Sequence, residues 1–213
     1  MPKGGKRPLP EVSSGSMADI AFLLLIFFLV TTTIANDKGI MMLLPPPPDP
    51  LQEDIDIKIK ERNIFKILAN SNDLLLVEDE PFRGPISDLK DEVKKFVLNF
   101  GSPSEDGMRV YNSLPSKMKR FVNQNGKSEN SSDDPTSGNA IVSFKANRGT
   151  SYDLYIQVLD AVNSAYNEIY AERVGISAEQ WLQLDRDDDI QNDMYKRARQ
   201  GIPRAISIAE PDK

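Results

Sequence analysis

Hydrophobic and polar positions follow three rhythms along this chain. The first has no polar face at all. Eleven consecutive apolar residues run from Ile20 to Val30, inside a stretch from Met17 to Ala35 whose polar members are Asp19, Thr31, Thr32 and Thr33. At 1.5 Å per residue this stretch reaches about 28 Å, close to a ~30 Å hydrocarbon core. Apolar on every side, it reads as a transmembrane helix over 17–35. The second rhythm is strict alternation. Asp54 to Lys60 (DIDIKIK), Asn63 to Ala69, Leu74 to Val77, Ala140 to Lys145 and Pro203 to Ala209 read as strands. Asn70 to Asp73 supplies turn residues for a hairpin between two of them.

The third rhythm is helical. Ser87 reads as a cap for a helix over 88–98, with Leu89, Val93, Phe96 and Val97 on one face. A longer amphipathic helix opens at Thr150–Asp153 and turns Leu154, Val158, Leu159, Val162, Ala165, Tyr166 and Ile169 inward. Ser177 and Gln180 form a capping pattern before Trp181. Asp187 to Arg199 is a polar helix with acids first and bases last, as the helix dipole favours. Between these elements, 99–139 is rich in Ser, Asn, Gly, Asp and Pro. It reads as a flexible surface insertion, disordered over 123–139, with one short helix over 111–122.

The predicted fold class is therefore α+β: a single N-terminal transmembrane helix, a proline-rich stalk, and a small domain with a mixed sheet and two main helices. The segments are 1–16, a polar N-terminus; 17–35, the membrane helix; 36–53, a linker; and 54–213, the domain. Pro45 to Pro50 within the linker favours an extended polyproline rod.

Charge sets the orientation. Lys3, Lys6 and Arg7 precede the apolar run, and Asp37, Asp49, Glu53 and Asp54 follow it. Positive charge stays in the cytoplasm, so the N-terminus lies there and the domain lies outside. A cleaved signal peptide is the rival reading; it would leave a secreted binding domain. The uncharged residues between Pro10 and Ile20 and the acid at position 19 favour the retained helix. Asp19 itself has two readings: the third helical position of a capping box begun by Ser16, or an ionisable group at membrane depth, where such groups mark ion paths. Thr31, Thr32 and Thr33 either bond their own helix carbonyls or make polar contacts to partner helices.

Composition removes most chemistry. The 213 residues carry a net charge of −6 and contain neither cysteine nor histidine. Disulfides, thiolate metal sites, imidazole relays and the serine–histidine–aspartate arrangement are excluded. The acidic balance argues against nucleic acid as a partner. A calcium loop beginning at Asp185 would need Gly at 190 and Glu at 196, where the chain has Ile190 and Lys196. No Gly-rich phosphate loop is present. The chain reads as a non-enzyme without cofactor or metal.

Three stretches resemble the ExbD/TolR family. Met17 to Phe28 looks like its membrane motif, an acid followed by an unbroken apolar run. Leu43-Leu44-Pro45 is similar to the Leu-Pro segment after the helix. Lys145 to Tyr152, leading into Val158-Leu159-Asp160-Ala161, resembles the family's strand-to-helix passage, which commonly reads A-D-x-x-x-x-Y; here Asn147 replaces the acid. The resemblance covers about 5–98 and 140–174. It implies a bacterial inner-membrane subunit with a cytoplasmic N-terminus and a periplasmic domain, paired with itself. It implies a ring of an ExbB/TolQ-like polytopic partner and a TonB/TolA-like energy transducer. Asp19 would be the proton-binding acid of a motor driven by the proton gradient. TonB-dependent transport and TolR-like envelope maintenance both remain open at this point, as do gliding and secretion motors.

Overall fold

The computed structural model describes residues 14–31 and 59–209. The chain divides into two compact units, 1–47 and 48–213. The expected linker, the strand over 54–58, and Thr32 and Thr33 lie outside the described residues.

The first unit contains helix α1, Ser14–Thr31. It begins two residues before the expected cap at Ser16. Asp19 is consequently the sixth helical residue, and no acid lies in the first turn. The capping-box geometry expected for Ser16 and Asp19 is therefore not the one the backbone adopts. Met17, Ile20 and the apolar side chains from Phe22 to Phe28 are exposed. Among the described residues no helix is long and apolar enough to cross a membrane. The expected span runs on to Ala35, past Thr31, the last described residue of α1.

The second unit is α+β. Strands β1 (Ile64–Ala69), β2 (Leu75–Val77), β3 (Glu80–Pro81), β4 (Ile141–Ala146) and β5 (Ile206–Ala209) form one mixed sheet in the order β3-β2-β1-β4-β5. β1 and β2 make the expected antiparallel hairpin. Asn70 closes its turn: the side-chain carbonyl accepts from the backbone of Asn72 and Leu74. β4 runs parallel to β1, and β5 parallel to β4. β3 has two residues, one of them a proline, and such a strand is tolerated only at an edge. Ile59 and Lys60 are not in a strand, and Glu61–Asn63 form a turn of 3₁₀ helix.

Period-two alternation puts Phe65, Ile67, Ala69, Val142 and Phe144 on the buried face of the sheet. Helices α2 (Ile86–Val97) and α5 (Tyr152–Val174) pack against each other. α2 buries all four residues expected of it, and α5 all seven. Pro85 stands at the cap of α2, not Ser87. Ser151 caps α5 by accepting from the Leu154 amide, and Gly175 at φ 77° ends it. That left-handed conformation is cheap only for glycine.

The segment 99–139 departs from expectation. It holds two helices, α3 (Glu105–Ser113) and α4 (Ser116–Asn125). Val110, Leu114, Met118 and Val122 are buried. The Ser/Asn/Asp-rich stretch after α4 is packed rather than disordered: Ser132, Asp133 and Asp134 are all buried. Polar composition looked like solvated chain, but here the polar groups satisfy one another. Beyond α5 lie α6 (Ala178–Leu182), with the predicted capping box and a buried Trp181, and α7 (Asp189–Arg199).

Candidate functional site

Two places follow from the sequence. The first is α1. Asp19 is exposed on a helix whose next eleven residues are apolar. Thr31 lies in the same helix twelve residues on. Helix geometry places it about 18 Å along the axis and about a third of a turn round from Asp19. The structure therefore does not bring Asp19 and Thr31 together. What α1 offers is one carboxylate, able to hold or release a proton, at the polar end of an apolar rod.

The second is the β4–α5 passage, where Asn147 replaces the expected acid. This loop is pinned to the β1–β2 hairpin. The Asn147 amide donates to the Ala69 carbonyl at 2.9 Å. The Thr150 hydroxyl donates to the carbonyls of Ala69 and Asn70 at 3.3 and 3.1 Å. The Ser151 amide donates to Asp73 Oδ1 at 2.8 Å. The acid at this junction thus comes from Asp73 in the hairpin turn, itself held at φ 58°. Beside the loop a cleft of about 380 Å³ opens, lined by Asn147, Thr150, Tyr152, Tyr155 and Ile208 among others. The Tyr155 ring packs at 5.3 Å on Phe144, while Tyr152 stands 78% exposed.

Three charged clusters were not visible in the sequence. Lys94, in α2, is buried and pairs with Glu168 at 2.6 Å and Glu172 at 2.9 Å, both on α5. Lys90 adds a second contact to Glu168 at 2.7 Å. Burial pushes the Glu168 carboxyl up, and the two lysines outweigh it, so its pKa ends below the usual range. Asp133 meets Lys60 at 2.8 Å, Arg62 and Asn63. Asp134 accepts from Ser104 and Thr136. Burial raises both carboxyls as well, and these donors bring both below their ordinary values. Arg173 near the end of α5 joins the insertion to the tail. It donates to Ser113 Oγ at 3.0 Å and to the carbonyls of Ala198 and Gln200. Apart from Asp134–Thr136, every one of these contacts links residues 25 or more positions apart, so periodicity carries no trace of them. Among the described residues no group of acids is placed to hold a metal ion.

The chain thus combines an apolar helix bearing one acid, a proline-rich stretch of sequence and a small α+β domain. The family model for biopolymer transport protein ExbD/TolR matches residues 5–174, and the chain belongs to that family. No curated protein and no solved structure matches the chain. The family match ends at the last residue of α5, so α6, α7 and β5 lie beyond it.

Proposed function

We propose that this chain is the proton-coupled subunit of an inner-membrane motor, with residues 17–35 spanning the bilayer, the N-terminus in the cytoplasm and the domain in the periplasm. Asp19 carries the proton. The observation behind this reading is its place in α1: past the first turn, where a cap would sit, and directly ahead of an unbroken apolar run. A charged carboxylate is costly at membrane depth, and protonation removes the cost. Alternate protonation then biases the helix between two positions within a ring of ExbB/TolQ-like partner helices. The periplasmic domain passes that motion to a TonB/TolA-like transducer, and the role is mechanical rather than enzymatic. Energising TonB-dependent transport is the preferred assignment within the family.

The test is Asp19→Asn. Asparagine keeps the size and still caps a helix, but it takes up no proton. The variant should accumulate normally and co-purify with its partner while losing work driven by the proton gradient, read as outer-membrane uptake. Asp19→Glu should retain part of the activity. Full activity of the asparagine variant would end the proton-carrier reading.

A further inference from the structure

We infer that the outer face of α4, with Lys127 just beyond it, docks on the anionic lipid surface of the bilayer that holds the chain. This rests on the membrane reading of residues 17–35. The stretch from Ser116 to Ser128 carries Lys117, Lys119, Arg120 and Lys127 and no acid, in a chain whose net charge is −6. Met118 and Val122 are the buried residues of α4. Helical spacing sets Arg120 about 160° round from each of them, with Gln124 beside it on the outer face. Arg120, Gln124 and Lys127 are exposed.

Helix stability does not account for these charges. Lys117, Lys119 and Arg120 all sit in the first half of α4, the end where the dipole favours acids, and its first turn holds no acid to offset them. Lys117 is used within the domain, where it reaches Glu172 at 3.2 Å. Lys119 donates to the Asn112 carbonyl at 2.8 Å, and its ammonium stands 5.9 Å from the Tyr111 ring. The Lys127 ammonium stands 4.9 Å from the same ring, whose hydroxyl donates to Asn123 at 3.0 Å. Tyr111 thus gathers two ammonium groups at the junction of α3 and α4. The acids at the start of α3, Glu105 and Asp106, are engaged by Arg109. Lys119, Arg120 and Lys127 pair with no acid among the described residues.

The clefts of about 540, 390 and 380 Å³ on the domain are lined from other elements. An exposed, convex helix face matches a plane of phosphate headgroups better than it matches an acidic peptide, which is held in a groove or along a sheet edge. Met108, one turn before Tyr111 on α3, is also exposed. It sets an apolar side chain beside an amphipathic ring, a pairing suited to the headgroup boundary. Each basic residue near an anionic surface strengthens binding roughly fivefold, so three cations hold weakly from free solution. A chain anchored in the same bilayer keeps them at high effective concentration, and weak contacts then suffice.

The chain has no cysteine, so Gln124→Cys carries a single fluorophore. The full-length labelled chain is reconstituted in phosphatidylcholine vesicles that contain phosphatidylglycerol and a lipid spin-labelled at the headgroup. Its fluorescence should be quenched at low salt and recover at high salt. Vesicles without phosphatidylglycerol should leave it bright. Lys119→Gln, Arg120→Gln and Lys127→Gln together should weaken docking about a hundredfold and abolish the quenching. Lys119→Arg with Lys127→Arg keeps the charge and should keep the quenching, which separates lost charge from a disturbed fold. Quenching that ignores phosphatidylglycerol, or that survives the loss of all three charges, would overturn the inference. So would patch-dependent cross-linking to an acidic protein in native membranes without quenching by lipid. Flotation with the vesicles reports the anchor separately. A chain that does not float overturns the anchor and the docking together, whereas one that floats unquenched overturns the docking alone.

Discussion

The Lys94 ammonium lies 2.6 Å from Glu168 and 2.9 Å from Glu172, one turn apart on α5, and its side chain is only 5% exposed. The pair ties α2 to α5 on the side where α4 arrives, and the ammonium also stands 5.1 Å from the Phe121 ring. One cation thus serves three helices.

Lys94→Ala should destabilise the domain by about 3 kcal/mol, because removing one partner of a buried ion pair strands the other. Lys90 and Lys117, which also reach these acids, keep the loss from being larger. Urea unfolding followed by far-UV circular dichroism measures it. A change under 1 kcal/mol would show that the neighbouring lysines suffice.

Asp133→Ala should cost about 2 to 3 kcal/mol. It removes acceptors for Lys60, Arg62 and Asn63 and leaves the buried Asn63 amide without its carboxylate partner. Limited proteolysis should then cut first within 126–139. Unaltered cleavage there would mean that the bonds of Asn99, Ser132 and Asp134 hold the segment without it.

Acid should unfold this domain only late. Asp133, Asp134 and Glu168 all have folded pKa values below the ordinary carboxylate values of about 3.9 for Asp and about 4.3 for Glu. Folding therefore releases protons near those values. The stability they contribute is fully present above the unfolded pKa values and is lost as pH falls through the folded ones. Thermal midpoints should show no loss traceable to these groups between pH 7 and 5, then fall below about 4. Asp134→Asn should flatten that acid limb.

Topology gives a direct check on the membrane reading. Protease added to spheroplasts should remove the domain and leave a membrane-held fragment. Protection of the intact domain, or its release without protease, would contradict the proposed orientation.

The elements with strong periodicity were legible in the sequence: the hairpin, α2, α5 and the terminal strand all lie where alternation or helical spacing puts them. The insertion was not. Its helices α3 and α4 are short, interrupted by Leu114-Pro115, and followed by residues whose composition matches solvated chain. What orders that tail is the reciprocal bonding of Asn63 and Asp133, seventy positions apart, and no local pattern encodes it. Lys94 was hidden for the opposite reason. It sits beside Val93 at the border of an apolar stripe, where a lysine ordinarily extends into water. Asp19 stands out in the sequence by its isolation and its role rests on the proposal above, whereas Asp73 at the β4–α5 junction could be found only once the hairpin was folded.

The same clasp bears on the order of folding. β1 and β4 pair from Ile64 with Ile141 onward, so this parallel ladder joins residues 77 positions apart. Closing so long a loop costs chain entropy before any ladder bond repays it, which makes such pairings slow. Asn63 immediately precedes β1, and Asp133 lies eight positions before β4. Once these two residues have met, β4 has only that short remaining tether to search. The insertion thereby acts as a splint, and a chain carrying Asp133→Ala should refold more slowly as well as less stably.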